Sequence, residues 1–223
     1  MIPLAVSEAP QRLMPLPGPR APWSGLAGTN LGVVTPRRQQ ILDIAADLFA
    51  SRGFHGVSVA ELGAACGISG PALYKHFESK DAMLAEMLVT ISETLLAEGR
   101  SRVATADGPR DALEALVEWH IEFALEHRAL IVVQDRDWSS LPDEASERVR
   151  ALQRAYVDVW ATQVRRFHTG LSPEASRTRA HVLFGLLNST PHSGRSPEAA
   201  ALLCRLALAA LHSITEPGSA QPR

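Results

Sequence analysis

The chain has 223 residues, of which 46% are apolar and 21% charged, so it can bury a sizeable core and has the composition of a globular protein. Aromatic residues supply only 5%, and an interior filled mainly by alanine and leucine favours helix packing over a β-sandwich. The two cysteines, Cys66 and Cys204, form no CxxC pair and have no histidine cluster nearby, which argues against a disulfide framework or a structural zinc site.

Membrane and secreted proteins are disfavoured by the apolar pattern. No apolar run approaches the ~18 residues that span a bilayer, and the first residues lack the basic start and unbroken apolar stretch of a signal peptide. We therefore expect a cytoplasmic protein that does not associate with a membrane. The net charge of −2 divides into +2 over residues 1–80 and −4 over the remainder, which is compatible with nucleic acid binding by the first part without requiring it.

Residues 1–34 are rich in proline and glycine and show no sustained periodicity, which predicts a disordered arm. Regular structure is predicted from Thr35, which can cap a helix that ends at Gly53. Ser58, followed three residues later by Glu61, has the capping-box pattern of a second, short helix. Two helices are thus expected in this part of the chain.

A three-residue turn, Gly67-Ile68-Ser69, joins the second predicted helix to a third that Ser69 caps. Two short helices joined by such a turn match the spacing of a helix-turn-helix, and the small Gly63 would let them approach closely. We therefore predict a three-helix DNA-binding domain over residues 35–80. An ordinary helical hairpin would produce much of the same apolar pattern, but it does not explain the outward face of the third helix.

The segment around the third helix reads G-I-S-x-x-x-L-Y-x-H-F-x-S-K over residues 67–80. It resembles the recognition segment of the TetR family (TetR/AcrR-like) of bacterial transcriptional regulators. The resemblance implies an all-α fold, with an N-terminal three-helix helix-turn-helix module and a C-terminal helical bundle for ligand binding and dimerisation. It further implies a repressor, not an enzyme and without a cofactor, that a small, mostly apolar effector releases from an inverted-repeat DNA operator.

The outward side of the third helix carries groups suited to DNA. Tyr74 and His76 can donate hydrogen bonds to phosphate, and Lys80 is expected to add a mobile positive charge. The exposed N-terminal part of the helix would meet base edges, and Lys75 is its one donor suited to guanine. The small residues there could equally serve packing, and Ser58, a phosphate contact by the resemblance, could act only as a cap. The predicted DNA-binding residues are Ser58, Ser69, Gly70, Pro71, Ala72, Tyr74, Lys75, His76 and Lys80.

Residues 81–216 are predicted to form a second, helical domain, followed by a tail at 217–223. Apolar residues recur at helical spacing throughout this part of the chain. The predicted segments run over about 80–102, 110–126, 129–138, 142–168, 173–190 and 197–214. Because every segment is helical, we predict a helix bundle.

The last predicted helix is apolar on almost every side, from Ala199 to Leu211. A helix of this kind must bury two faces, and the second face implies a partner, most simply the same helix pair of a second copy. We therefore predict a homodimer, with Leu203 and Ala207 at its interface. The alternative is a monomer that covers both faces with its own helices.

A mostly apolar effector pocket is expected among the middle helices of the bundle, as the resemblance implies. Each aromatic residue there could instead belong to the core, and Arg165 and Arg166 could meet an anionic head group or remain solvated. The predicted lining residues are Trp119, Phe123, Gln134, Trp138, Tyr156, Trp160, Gln163, Phe184 and Asn188.

Two other classes of function remain open from the sequence. A ligand-independent DNA-binding protein would use the bundle for dimerisation alone. A helical enzyme would need His120, His127 and Asp135 to converge on a metal or substrate, but the two histidines are too far apart in sequence to be ligands on one helical turn, and core histidines are the better interpretation. No nucleophile motif, phosphate loop or paired-carboxylate signature is present, so we predict no metal site and no catalytic residues.

Overall fold

The structure is a computed structural model that describes residues 36–190 and 196–212. Every regular element within those ranges is a helix, which confirms the predicted all-α class. The predicted arm, the cap at Thr35, the last two residues of the final predicted helix and the tail lie outside the described residues. The helices are α1 (Pro36–Arg52), α2 (Val59–Ala65), α3 (Gly70–Leu73), α4 (Lys80–Thr105), α5 (Pro109–Glu126), α6 (Arg128–Asp137), α7 (Asp143–Phe167), α8 (Pro173–Leu187) and α9 (Pro197–His212), with a 3₁₀ turn at Trp138–Ser140 after α6.

The first three helices enclose a small apolar core. Phe49 and Phe54 are buried and meet edge to face, with ring centroids 5.2 Å apart. The turn between α2 and α3 depends on Gly63, since a Cβ atom there would lie 2.8 Å from the backbone nitrogen of Gly70 and 2.9 Å from the carbonyl oxygen of Ile68. The predicted close approach at Gly63 is confirmed.

Helix α4 joins this module to the bundle. Its 26 residues correspond to roughly 39 Å of helix, of which the first turns bury Met83 and Leu84 and the later ones pack along α7. Near its end, Gly99 lies against the ring of Tyr156, and a Cβ atom there would be 2.6 Å from the Cε2 atom of that ring. One rigid element therefore runs from the helix-turn-helix to the interior of the bundle.

A second contact between module and bundle is made by Arg136 of α6. Its guanidinium donates to the carbonyl oxygens of Phe49 and Ala50 at the end of α1, the latter at 3.1 Å, and is paired with the buried carboxylate of Asp137 at 3.1 Å. The Phe49 carbonyl also accepts from the Gly53 N–H at 2.8 Å, so Arg136 is a second donor to it. A cation is favourable at this position because the C-terminal carbonyls of a helix carry partial negative charge. We call this set of contacts the Arg136 bridge.

The bundle core lies between α5, α7, α8 and α9 around the fully buried Trp160. Helix α9 places Leu203 and Ala207 in this core, with 6% and 0% of their surface exposed, whereas Leu202 and Leu206 are each 47% exposed. The assignment of Leu203 and Ala207 to a dimer interface is therefore wrong, because α5 already covers that face. The outward face of α9 consists of the neighbouring leucines.

Candidate DNA-binding surface and ligand cavity

Both predicted caps of the helix-turn-helix are present. The Ser58 hydroxyl oxygen accepts from the Glu61 backbone N–H at 3.2 Å, and the Glu61 carboxylate accepts from the Ser58 backbone N–H at 2.8 Å. The Ser69 hydroxyl oxygen accepts from the Ala72 N–H at 3.3 Å. The hydrogen bonds from Ser58 lower the pKa of the Glu61 carboxyl, so the carboxylate form holds the start of α2 in place.

The third helix is only four residues long. It is α-helical only over Gly70–Leu73 and then tightens, with the backbone N–H groups of Lys75 and His76 donating to the carbonyls three residues earlier at 3.2 and 2.9 Å. Leu73 is buried, while Tyr74 exposes 55% of its surface and Lys75 is also exposed. The inward and outward faces of the segment thus agree with the sequence pattern.

The N-terminal end of α3 is open to solvent at Pro71 and partly open at Gly70 and Ala72. A Cβ atom on Gly70 would make only ordinary contacts of 3.6 Å with the backbone of α2. Packing therefore does not require glycine at this position.

Lys80 does not carry the mobile charge that we expected. Its ammonium group donates to the carbonyl oxygens of Phe54 and Val57, both at 2.9 Å, and lies 4.3 Å from the centroid of the Phe54 ring. The lysine ammonium group has three N–H donors on a flexible side chain, so it can bind both carbonyls of the loop that precedes α2. The structure thus makes Lys80 a support of the module, and a direct phosphate contact from it stays a prediction.

Arg38 of α1 makes several contacts within the module. It donates to both carboxylate oxygens of Glu86 and to the carbonyl of His76, and its guanidinium lies 4.1 Å from the centroid of the Phe77 ring. Arg38 therefore fixes the end of the exposed segment to α4. The sequence carried no signal for this contact because Glu86 lies 48 positions away.

A cavity of about 190 Å³ lies inside the bundle. Four of the nine predicted ligand residues line it. The lining residues are Ser92 and Leu95 of α4, His120 of α5, Gln134 of α6, Leu152, Gln153, Tyr156 and Val157 of α7, and His181, Phe184 and Asn188 of α8 and the residue after it.

The other five predicted ligand residues do not line this cavity, and packing explains each case. Trp160 is fully buried in the core and Phe123 is 4% exposed. Trp119 and Trp138 lie under guanidinium groups, Trp119 beneath Arg102 at 5.5 Å and Trp138 beneath Arg150 at 5.2 Å from the ring centroids. Gln163 is buried and accepts a hydrogen bond from Arg166 at 3.2 Å. Helical spacing alone could not separate cavity wall from core.

His120 is the centre of a polar group in the cavity wall. Its Nε2 atom is 3.0 Å from the Oδ1 atom of Asn188, and its Nδ1 atom is 3.3 Å from the Tyr156 hydroxyl. Burial lowers the pKa of His120 to about 4, so the ring is neutral. Since an amide oxygen only accepts, Nε2–H donates to Asn188 and Nδ1 accepts from Tyr156. Burial also raises the pKa of Tyr156, which keeps the phenol protonated.

The described lining of the cavity contains no Lys, Arg, Asp or Glu side chain. Its polar groups are hydroxyls, amides and imidazoles, set among leucine, valine and aromatic carbon. Burial of an isolated charge in such a site is unfavourable by several kcal/mol or more. The cavity therefore suits an uncharged, largely apolar group that carries a hydrogen-bonding atom.

Groups typical of a metal site are not assembled in the described ranges, where no three His, Cys, Asp or Glu side chains converge. His127 packs on the Phe123 ring at 5.1 Å, and Asp137 pairs with Arg136. None of the described helices combines the length and apolarity needed to cross a membrane.

Two family models match the chain. One, described as bacterial regulatory proteins, tetR family, matches residues 41–87, and the other, described as tetracyclin repressor-like, C-terminal domain, matches residues 106–192. The first model covers the helix-turn-helix and the start of α4, and the second covers the cavity lining apart from Ser92 and Leu95 of α4.

Two proteins with similar sequences are named as transcriptional regulators. The HTH-type transcriptional repressor KstR2 of Rhodococcus jostii is 34% identical over 125 residues, which cover 56% of this chain and 61% of that protein. The chain thus matches about three fifths of the length of this relative. The HTH-type transcriptional activator FasR of Mycolicibacterium smegmatis is 29% identical over 180 residues, which cover 80% of each chain.

Solved structures share the fold. The ketosteroid transcriptional regulator KstR2 of Mycobacterium tuberculosis superposes with a TM-score of 0.72 at 23% identity, over 83% of this chain and 98% of that one. AibR, solved in complex with isovaleryl coenzyme A and operator DNA, superposes with a TM-score of 0.63 at 20% identity, over 78% of this chain and 96% of that one.

Proposed function

The chain belongs to the TetR family of bacterial regulatory proteins, and we propose that it is a dimeric, ligand-responsive transcriptional repressor. In this proposal α3 and the residues after it bind the major groove of an inverted-repeat operator. A small, mostly apolar molecule enters the bundle cavity and lowers the affinity for DNA. The observation that carries the proposal is the outward face of the segment Gly70–Lys75, where Pro71, Tyr74 and Lys75 are exposed. The inner side of the module is fixed by contacts of Gly63, Arg38 and Lys80.

On the DNA side, Tyr74 and Lys75 project from the segment without burial and are free to reach the duplex. Tyr74, with a stiff ring and a terminal hydroxyl, is suited to a phosphate oxygen, and the flexible Lys75 to guanine O6 and N7. Ser58, Ser69 and His76 are less open: the two hydroxyls accept the cap hydrogen bonds, and His76 is partly buried. We assign these three residues to backbone positioning and Lys75 to base reading.

Dimerisation is supported by the apolar outward faces of the last two helices. Val182 of α8 is 65% exposed, and Leu202 and Leu206 of α9 are each 47% exposed. Large apolar side chains grouped on neighbouring helices are unfavourable in water and mark an interaction site. An isologous pairing through this face would present two recognition segments to half-sites roughly 34 to 36 Å apart, or a multiple of it.

Effector response is supported by the position of the cavity beside α4. Ser92 and Leu95 of α4 line it, and Gly99 lies against Tyr156, whose hydroxyl bonds to His120. A ligand that prefers a different spacing of α4 and α7 would, by linkage, weaken DNA binding by the ratio of its affinities for the two arrangements. The cavity chemistry favours an uncharged, apolar group with a carbonyl or hydroxyl facing His120, Tyr156 and Asn188.

The DNA contacts can be tested with variants of the two exposed residues. Lys75→Ala should cost about 1 to 3 kcal/mol on operator DNA and relax the preference at particular base pairs, whereas Tyr74→Ala should weaken binding to all sequences alike. Binding would be measured by fluorescence anisotropy on DNA flanking the coding sequence and on random duplex. Arg110→Ala, which removes an exposed side chain at the far end of the bundle, is the control. Equal loss on both duplexes for Lys75→Ala would contradict base reading.

The effector response can be tested by tryptophan fluorescence together with release of DNA. Trp160 lies 5.1 Å from Phe184, centroid to centroid, and so reports on the cavity wall. Candidate apolar compounds that change this fluorescence should also lower operator affinity. Compounds that bind tightly and leave operator affinity unchanged would favour the ligand-independent regulator instead.

A further inference from the structure

A second open space lies along the same pair of helices as the cavity. It has a volume of about 380 Å³ and lies between the end of α7 and the start of α8. Its lining includes three guanidinium groups, those of Arg165, Arg166 and Arg177, and two hydroxyl residues, Thr162 and Ser176. We call this space the arginine groove.

The charge of the arginine groove is positive. Asp158 is its one lining carboxylate in the described chain, and it pairs with Arg177. Arg166 donates to an amide oxygen, that of Gln163, and both Arg165 and Arg166 are exposed. Planar guanidinium forks match the oxygen geometry of phosphate and bind it in pairs. The groove is therefore suited to a phosphate group.

The cavity and the groove follow one seam between α7 and α8. On α7, Val157 of the cavity is followed one turn later by Ala161 of the groove. On α8, which runs back along α7, His181 of the cavity is preceded one turn earlier by Arg177 of the groove. From Val157 to Arg165 the helix rises roughly 12 Å. An uncharged chamber and an anion-binding groove thus lie end to end.

From this juxtaposition we propose that the effector is a two-part molecule, with an apolar acyl group in the cavity and phosphate in the arginine groove. The inference rests on the proposed effector cavity. A free carboxylic acid is too short for this role, because its charge would lie directly beside its chain, inside or at the mouth of the uncharged chamber. The spacing requires a neutral arm of roughly 12 Å between the acyl carbonyl and the phosphate. Acyl thioesters of a phosphate-bearing carrier have this form, whereas the arm of an acylated glycerol phosphate is too short.

Calorimetric titration of the full chain with matched probes tests the proposal. The probes are octanoyl coenzyme A, octanoyl N-acetylcysteamine, which keeps the thioester and lacks the phosphates, and octanoyl lysophosphatidate. Octanoyl coenzyme A should bind at least about tenfold more tightly than the phosphate-free thioester, a difference of about 1.4 kcal/mol. The affinity for octanoyl coenzyme A, unlike that for the phosphate-free thioester, should fall steeply with added salt. The lysophosphatidate, whose arm is shorter, should bind more weakly than octanoyl coenzyme A, and equal affinity would contradict the spacing of roughly 12 Å.

The double variant Arg165→Gln/Arg166→Gln should abolish the advantage of octanoyl coenzyme A and leave the phosphate-free thioester unchanged. Arg154→Gln, an exposed residue of the same helix outside both spaces, is the matched control and should change neither. Two results would contradict phosphate binding by the arginine groove. One is equal affinity of the two thioesters for the unsubstituted protein, and the other is an equal loss of affinity for both in the double variant. Failure of every octanoyl probe to bind, with DNA binding intact, would instead overturn the effector cavity on which the groove depends.

Discussion

The helix-turn-helix and the bundle cavity differ in how far apart in sequence the residues that form them lie. In the helix-turn-helix, Ser58 caps the helix of Glu61, and Gly63 packs on the turn that begins at Gly67. In the cavity, His120 bonds to Tyr156, 36 positions away, and to Asn188, 68 positions away. Local contacts leave a periodic pattern in the sequence, and distant ones do not. The contrast teaches that the DNA-binding surface is encoded by spacing and the cavity by tertiary packing.

The largest effects are expected at α9, whose two apolar faces, one buried and one exposed, cannot be distinguished by sequence spacing. Leu203→Glu should unfold the subunit, at a cost of about 3 to 5 kcal/mol or more, because it buries a charge against α5. Leu202→Glu should leave the subunit folded but monomeric, with poor operator affinity. Circular dichroism and sedimentation velocity would separate the two effects. A Leu202→Glu protein that sediments as the unsubstituted dimer would exclude this face as the interface.

The contacts of the helix-turn-helix, which join residues close in sequence, can be tested at Gly63. Gly63→Ala places a methyl group 2.8 Å from the backbone of Gly70, so we expect a loss of up to about 3 kcal/mol of unfolding free energy. Gly70→Ala is the matched control, since its added methyl makes only ordinary contacts of 3.6 Å. Urea denaturation would measure both. Equal stability of the two variants would show that the α2–α3 turn can shift without cost.

The contacts of the cavity, which join residues far apart in sequence, can be tested by the pH dependence of stability. Burial lowers the pKa of His120 to about 4 from 6.5, so the unfolded chain takes up a proton on this ring before the folded chain does. This contribution to stability is complete above pH 6.5 and is lost as the pH falls toward 4. At pH 5 it should cost about 2 kcal/mol relative to neutral pH. His120→Gln should remove that part of the pH dependence in urea denaturation, while His127, whose pKa burial also lowers to about 4, keeps its own. An unchanged slope in the variant would contradict a buried neutral His120.

The smallest expected effect concerns the cap of α2. Ser58→Ala removes the acceptor for the Glu61 N–H and should cost about 1 kcal/mol of unfolding free energy. Ser58→Asp keeps the acceptor and adds a negative charge, so its stability should be closer to that of the unsubstituted chain. If Ser58 also contacts phosphate, Ser58→Asp should lose DNA affinity while it keeps its stability. An anisotropy titration in which it binds as well as the unsubstituted chain would leave Ser58 with the cap alone.

The sequence predicted the fold well and the cavity only in part, for reasons that particular residues make clear. The caps at Ser58 and Ser69 follow from spacing because both partners lie within three residues. The tether of Lys80 could not be predicted, since its acceptors are backbone carbonyls more than twenty positions earlier.

The sequence also could not predict which face of α9 points inward or whether Trp160 borders the cavity. A helix apolar on every side has no preferred inward face in its sequence, so Leu202 and Leu203 could not be told apart. Trp160 and Tyr156 share one face of α7, yet one fills the core and the other lines the cavity. Only the neighbouring helices decide which aromatic residue borders a space.

The Arg136 bridge has a consequence for how the protein melts. Because the guanidinium satisfies carbonyls at the end of α1 and is held by a buried carboxylate of α6, the first helix cannot unravel without disturbing the wall of the bundle. The amide protons of α1 should therefore exchange with solvent at rates set by the opening of α6 as well as of α1. A compound that stabilises the bundle would slow exchange in the helix-turn-helix, far from where it binds. Thermal unfolding and hydrogen–deuterium exchange of the helix-turn-helix would then detect effector binding before any operator is known.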